Sequence, residues 1–405
     1  MQTEGDASSD DKIAESSQRA HAHTNSLSAS RLSLNLHLHQ ACEAGSLDMA
    51  KECLERGADA WWEDEGTIGW SALHFAAESG NTKLVRFLLR RGALWNAVDS
   101  NGITAAEVAW SLNDAPTYRA IMDEGVRQTM LRNALDQRAR GEAAEDAAAE
   151  ETGANADGMV VEVQADGHVV LRPDANGEVS ANNKAFLSSK LSFERGEDGL
   201  ERCVDVDGGV VMAGWETDIM EKTAELLCAG QKEGFSVLNI GFGLGIIDTL
   251  FQKYKPGRHV IVEPHADVVA HLRAQGWQSK PGVQVVQQRW QECIAELSDF
   301  DVIYTDTYSE NYAALNDFFD KLPDLVSGPS ARFSFFHGLA GTNPFLYDVY
   351  TRVAELDLIG IGLQTQWHTI RPALANTELI WKGTKRAYWT LDEFRIPLCS
   401  MQILQ

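Results

Sequence analysis

Three glycines at alternate positions, Gly241, Gly243 and Gly245, follow the apolar run Val237 to Ile240 and precede Ile246-Ile247-Asp248-Thr249-Leu250-Phe251. The apolar run reads as a buried parallel strand, and the residues after Gly245 read as the start of a helix. Glycines at such a junction let the chain turn sharply and let a ligand approach main-chain atoms that a Cβ would block. A second apolar run, His259 to Val262, ends in Glu263, eighteen residues after Gly245. A carboxylate at the tip of the second strand can accept hydrogen bonds from both hydroxyls of a ribose. Loop and carboxylate together predict a site for an adenosine-containing cofactor.

The glycine spacing narrows the cofactor. A dinucleotide fingerprint reads G-x-G-x-x-G, with a pyrophosphate on the helix N-terminus. Here the spacing is G-x-G-x-G, which resembles motif I of the class I methyltransferases that bind S-adenosylmethionine. A Gly-rich turn by itself is often only a tight turn, and Glu263 at the right distance is what favours the nucleotide.

The elements that must position these residues alternate along the chain. Strands are expected at Val283–Gln288, Phe300–Thr307 and Arg332–Phe336, with helices at Gln291–Leu297, Tyr312–Leu322 and Pro344–Leu356. Gly360–Ile370 and Ala387–Pro397 read as a final antiparallel edge pair. This is a doubly wound α/β pattern of the Rossmann-like kind. Upstream, Met159–Val163 and His168–Leu171 look like two short strands across a turn. Residues Asn182 to Glu201 read as a polar segment, and Thr217 or Asp218 is placed to cap a helix that follows Trp215-Glu216.

An internal repeat occupies the N-terminal part. Leu38-His-Gln-Ala-Cys-Glu-Ala-Gly45 aligns with Leu73-His-Phe-Ala-Ala-Glu-Ser-Gly80 at an offset of 35, and Glu55-Arg-Gly-Ala-Asp59 with Arg90-Arg-Gly-Ala-Leu94 at the same offset. A third unit starts at Gly102. The period resembles that of ankyrin repeats, small all-α stacks that bind proteins. Leu73, Ala76, Ala77, Val85, Leu88 and Leu89 are the expected packing positions, and packing is also the default for Trp61, Trp62, Trp70, Trp95 and Trp110. Residues 1–35 read as a disordered tail, 36–136 as the ankyrin domain, 137–158 as an acidic linker and 159–405 as the catalytic domain.

Composition sets limits. A formal charge of −24 over 405 residues argues against nucleic acid as the primary ligand and favours basic partners. No apolar run approaches the length of a membrane span, and the polar N-terminus lacks a secretory core. The six cysteines, Cys42, Cys53, Cys203, Cys228, Cys293 and Cys399, form no CxxC pair. They predict reduced thiols of the cytoplasm or nucleus and no metal site. His21, His23, His37 and His39 read as solvated, and His337 and His368 as satisfied histidines at strand ends.

Three stretches carry a more specific resemblance. Trp215-Glu216-Thr217 with Met220, the loop Gly241 to Ile246, and Tyr304-Thr-Asp306-Thr-Tyr308 look like the guanidino-group methyltransferases. Ankyrin units ahead of such a domain resemble the fungal and plant type IV protein arginine methyltransferases, which modify the internal δ nitrogen of arginine in a large-subunit ribosomal protein. The resemblance implies S-adenosylmethionine bound by Phe186, Met220, Gly241, Phe242, Gly243, Leu244, Gly245, Ile246, Glu263, Pro264, His265, Trp290, Gln291 and Asp306. Pro264 departs from the small residue expected at its position. Glu216 and Asp306 are the implied catalytic pair.

The chemistry of a guanidinium fits such a pair. It is a planar group with five donors, and carboxylates hold it in a fixed plane by bidentate hydrogen bonds. Its pKa lies above about 12, so methylation needs acceptors that localise the charge and take a proton. Asp306 ends a strand at the edge of an open α/β sheet where ligands sit. A capping or surface acid is the plain alternative for Glu216. The rival functions are methylation of a small guanidino compound and an ankyrin scaffold that only senses cofactor.

Overall fold

The computed structural model describes residues 30–147, 159–163, 169–173, 183–373, 378–385 and 387–402. The chain divides into two compact units, one through Arg132 and one from Asn133, and the boundary falls within a single helix, Ala115–Ala147. That helix continues into the stretch read as an acidic linker, because alanine and glutamate are strong helix formers. A helix over 30–43 begins inside the stretch read as a disordered tail. Residues 1–29 and 148–158 lie outside the described residues.

In the first unit, helix pairs follow the repeat: 30–43 with Leu47–Glu55, Ala72–Glu78 with Thr82–Arg90, and Ala105–Ser111 with Ala115–Ala147. Helix starts are fixed by side-chain caps. The Asn81 side chain accepts from the Lys83 and Leu84 amides, and Thr104 with Glu107 forms a capping box. The six expected packing positions are all buried. Successive units are also joined by polar bonds one repeat apart. Asn81 Nδ2 donates to the Gly45 carbonyl at 2.8 Å, and His74 Nε2 lies 3.1 Å from the Ile103 carbonyl. Trp95 is buried, whereas Trp110 is 66% exposed and Trp61 41% exposed, so tryptophan packing is only partly internal.

The second unit is built on seven strands: β1 (Ser236–Ile240), β2 (Arg258–Val262), β3 (Val283–Val286), β4 (Val302–Thr305), β5 (Arg332–Phe335), β6 (Leu363–Ile370) and β7 (Phe394–Met401). Their order across the sheet is β3-β2-β1-β4-β5-β7-β6. The first five are parallel, and β7 is antiparallel to both β5 and β6. This is the class I, Rossmann-like methyltransferase architecture. β1 and β4 are buried along their whole length, as expected of central parallel strands covered on both faces. Helix α1 (Thr217–Cys228) leads into the sheet, and α2 (Ile246–Lys253) and α3 (Ala266–Ala274) follow β1 and β2.

Two local expectations change. Ser192–Arg195, Glu201–Val204 and Val210–Ala213 form a three-stranded antiparallel sheet whose first strand lies within Asn182 to Glu201, where a polar segment was expected. The first of its strands is largely exposed, so no alternation of apolar residues advertised it. The last strand runs from Phe394, leaving Ala387–Glu393 as an irregular segment in place of the expected strand. The hairpin Met159–Val163 with Val169–Pro173 is present as an antiparallel pair.

Candidate active site

β1 is the central strand from which the chain winds outward in both directions, to β2 on one side and β4 on the other. Its end is the switch point where ligands bind in open α/β sheets. Register brings three chain ends together there. The Gly241 amide donates to the Val262 carbonyl at 2.9 Å, and the Asp306 amide donates to the Ile240 carbonyl at 2.9 Å. Gly241, Glu263 and Asp306 thus emerge side by side on the rim of a cavity of about 330 Å³.

The glycine loop forms one wall. Gly241 has φ +92°, and a Cβ there would lie 2.0 Å from the Asp306 carbonyl oxygen. A Cβ on Gly243 would meet Met212 Sδ at 2.3 Å, and one on Gly245 would meet the Phe242 ring at 2.4 Å. Beneath the loop, buried Asn239 donates to the Gly241 carbonyl at 2.7 Å and to Asp248 at 2.9 Å, and Asp248 also meets His259 Nε2 at 2.9 Å. The loop is therefore held from below and crowded on the sides, so that its main chain is presented to the cavity.

Glu263 is 5% exposed. Its two oxygens accept the Phe242 amide at 2.9 Å and the His265 amide at 2.8 Å. Burial pushes its carboxyl up to about 7, against the pull of those amides. Each carboxylate oxygen has a second lone pair, so the group can still accept from a ligand in the cavity that it lines.

Glu216 occupies the N-cap position of α1 but makes no capping bond. Neither Thr217 nor Asp218 caps the helix: the Thr217 hydroxyl donates to the Gly214 carbonyl, and Asp218 accepts the Ala373 amide. Glu216 is neither a cap nor a surface acid, being 3% exposed and hydrogen-bonded to the Tyr388 hydroxyl. Burial, and then the nearby Asp306 charge, raise its carboxyl well above the usual range. Burial raises the half-buried Asp306 carboxyl to about 7. Two carboxyls that resist ionisation in one cavity form a receptor for a cation, because a cation restores the charge of both.

Of the residues named from sequence, Phe186, Glu216, Gly241, Phe242, Gly243, Glu263, Pro264, Trp290, Gln291 and Asp306 line the cavity. Met220, Leu244, Gly245, Ile246 and His265 do not. Met220 is wholly buried and accepts the Tyr304 hydroxyl on sulfur at 3.5 Å. Gly245 and Ile246 turn the chain into α2, and the Leu244 amide rests on Met212 Sδ. His265 accepts the Asp267 amide on Nδ1, and its Nε2 lies 3.1 Å from the Phe186 carbonyl. It thereby fastens the Phe186 segment across the cavity.

Met212, Glu310 and Tyr388 are among the lining residues that were not anticipated. Met212 packs against the glycine loop. Glu310 accepts both Trp290 Nε1, at 3.0 Å, and Gln291 Nε2, at 2.9 Å, orienting the expected pair. Tyr388 reaches Glu216 from 172 positions away, and no motif in its surroundings signals that. His337, read as a satisfied histidine, meets the Thr351 hydroxyl at 2.8 Å. His368 received the same reading, yet its buried Nε2 has no hydrogen-bond partner. All six cysteines are unpaired and buried.

The guanidinoacetate N-methyltransferase family model matches residues 182–320, the stretch that carries the glycine loop, Glu216, Glu263 and Asp306. The ankyrin-repeat model matches three copies over 38–130. A protein arginine N-methyltransferase 2 of Cryptococcus neoformans var. neoformans is 34% identical over 390 residues, covering 90% of this chain and 94% of that protein. Proteins of the same name from Aspergillus oryzae (35% identical, 80% of this chain and 79% of that protein) and Aspergillus fumigatus (34%, 89% and 86%) are similar in the same way. Carboxylate pair, glycine loop, repeat array and near full-length likeness converge: the chain belongs to the protein arginine N-methyltransferase 2 family.

Proposed function

We propose that this arginine methyltransferase modifies the internal, δ nitrogen of arginine in a basic protein, a large-subunit ribosomal protein being the substrate class, with S-adenosylmethionine as donor. The observation that carries the reading is the pair Glu216 and Asp306, two carboxyls pushed up by burial that line one cavity together with the glycine loop. The cavity fits the donor: the loop leaves no room for a Cβ at Gly241 or Gly243, and Glu263 has lone pairs for ribose hydroxyls. When bound, the donor supplies a methyl group on a sulfonium, a good electrophile with a neutral leaving group. Glu216 and Asp306 hold the guanidinium plane and keep its charge on the nitrogens that are not attacked. The attacking nitrogen gains the methyl carbon and loses one proton, and the bond electrons of the methyl stay with the leaving sulfur. Asp306, with its carboxyl near 7, is suited to take that proton at neutral pH.

A basic-protein extract incubated with the enzyme and labelled donor tests the reading, with guanidinoacetate run beside it. Label in arginine of a ribosomal-size basic protein, and none in the small compound, is the expected result. Methylated guanidinoacetate with unlabelled protein favours the second reading, a small-molecule enzyme, which the family match over 182–320 keeps in view.

The pH dependence follows from the two carboxyls. Both must be ionised to hold a guanidinium, whose own charge persists throughout. As pH falls through about 7, Asp306 takes up a proton, and the Glu216 carboxyl, raised by burial and by the Asp306 charge, takes up its own above the ordinary carboxylate range. A profile of kcat/KM should therefore fall on the acid side of neutrality, steepening toward two protons. A flat profile down to pH 5 contradicts it. The sign for stability is opposite. Raised carboxyls bind protons more tightly in the folded chain, so the ligand-free protein loses stability as pH rises from the ordinary carboxylate range through about 7.

Glu263→Ala should weaken donor binding more than about tenfold, since charge-assisted bonds to hydroxyls are worth roughly 1.5–3 kcal/mol. Calorimetric titration that returns wild-type affinity in a folded variant refutes the role. Removing the repeats, by starting the chain near residue 159, should leave donor affinity unchanged and lower kcat/KM for a protein substrate, because docking raises the local concentration of the target arginine. A short arginine peptide should react equally with both chains. Equal slowing of peptide and protein shows instead that the repeats support the catalytic fold.

A further inference from the structure

The peptide between Gly241 and Phe242 is held at both ends. It is trans, so its carbonyl and its N–H point in opposite directions. The carbonyl accepts from buried Asn239 Nδ2 at 2.7 Å, and the N–H donates to Glu263 Oε2 at 2.9 Å. Gly241 has φ +92°, and without a Cβ it puts little restraint on the plane that follows it. A plane turned over would set a carbonyl against Glu263 in place of its donor. Asn239 opposes that turn from the other side.

Asn239 is itself held. Its second Nδ2 hydrogen goes to Asp248 Oδ2 at 2.9 Å. Both partners are acceptors, so a flipped amide would set oxygen against oxygen, and the orientation is fixed. Asp248 Oδ1 lies 2.9 Å from His259 Nε2, and His259 Nδ1 lies 2.9 Å from Gln252 Nε2. An amide nitrogen can only donate, so Nδ1 accepts, and Nε2 carries the hydrogen that Asp248 receives. Asn239, Asp248 and His259 are all buried, and the line of bonds ends at the half-buried Gln252. Asn239 Oδ1 receives no hydrogen bond. That costs stability, and packing alone would not require it.

The consequence reaches the cavity through Glu263. Each of its oxygens accepts one amide and keeps a second lone pair. Two neighbouring ribose hydroxyls need both of those lone pairs facing them at once, so the plane of the carboxylate decides whether they can be met. The His265 amide sets Oε1 and the Phe242 amide sets Oε2, and the Gly243 amide, next along the loop, also favours the charge. We propose that Asn239 is a positioning residue for the donor's ribose: by locking the Gly241–Phe242 peptide, it fixes the plane in which Glu263 receives the two hydroxyls. This rests on S-adenosylmethionine as the donor and on Glu263 as its ribose acceptor.

The test is calorimetric titration of the full chain, wild type and Asn239→Leu, with S-adenosylhomocysteine and with its analogues lacking either ribose hydroxyl. Wild type should bind each analogue about tenfold or more weakly than the parent, the share of one charge-assisted hydrogen bond. Leucine keeps the approximate shape of Asn239 and makes neither of its bonds. The variant should bind the parent about tenfold more weakly and the analogues within about threefold of wild type, so that the penalty for a missing hydroxyl shrinks. A change that only loosens the fold would weaken all three ligands by one factor and leave that penalty intact. Such a result, or unchanged affinity for the parent, overturns the proposal. Should Asn239→Leu not fold, Asn239→Ala leaves room in which a water can meet Asp248, and the same comparison is read. Wild-type protein that binds all three ligands alike refutes Glu263 as the ribose acceptor and the proposal with it. A wild-type penalty kept in the variant refutes the role of Asn239 alone.

Discussion

Glutamine in place of Glu216, or asparagine in place of Asp306, should each lower kcat by about 10²–10⁴-fold, the range for losing an electrostatic stabiliser or a general base. Each amide keeps the shape of the acid, so the cavity stays open and donor binding should survive. What is lost is charge. An amide cannot localise the guanidinium charge, and it offers one acceptor where the carboxylate offers two. The substitutions also differ in a way that can be measured. Asp306→Asn removes the group suited to accept the proton and leaves an acid limb of one proton from Glu216, displaced to lower pH because the Asp306 charge no longer raises that carboxyl. Glu216→Gln retains Asp306 and should keep an acid limb of one proton. Steady-state kinetics with donor titration by calorimetry decides the matter, and near-normal turnover in both variants rules out the guanidinium-holding pair.

The second large effect is expected from Gly241→Ala. The position has φ +92°, and the added methyl would lie 2.0 Å from the Asp306 carbonyl oxygen and 3.0 Å from its carbon. That neighbour is main chain and is held by the bond from the Asp306 amide to Ile240, so it cannot turn aside as a side chain would. Left-handed strain in a non-glycine residue and overpacking of a tight contact each cost roughly 1–3 kcal/mol. The damage also reaches the chemistry, since relief requires Asp306 to move away from β1. Thermal unfolding should drop sharply and turnover should be lost even below the new midpoint. Gly243→Ala is the control: its methyl meets the end of the flexible Met212 side chain, and a milder loss is expected. Wild-type melting and turnover in Gly241→Ala would mean that the loop has slack that the contacts do not show.

Local chemistry was what the sequence displayed. The loop Gly241 to Gly245, Glu263 at the tip of β2 and Asp306 at the tip of β4 are legible because parallel strands buried on both faces leave continuous apolar runs, and the residue after each run lies at one sheet edge. The repeat was legible because each unit must bury the same positions against the next. Features built by long-range contact were hidden. Tyr388 lies in a segment with no apolar period, and only the return of the chain into β7 brings it to Glu216. The sheet of Ser192–Arg195, Glu201–Val204 and Val210–Ala213 has short, partly exposed strands, so neither alternation nor length identified it. Glu216 was legible as a residue and not as a position. Its sequence reads equally as a helix cap, and only burial without a capping bond separates the two.

Glu216 and Asp306 are proposed to hold a protein arginine so that its internal nitrogen is methylated. The most direct test is to hydrolyse a basic protein labelled by the wild-type enzyme and identify the methylated amino acid by fragmentation against synthetic standards. The expected product is δ-N-methylarginine, reduced to trace when Glu216→Gln or Asp306→Asn is used. Label found in ω-N-methylarginine, or in a residue other than arginine, would contradict it.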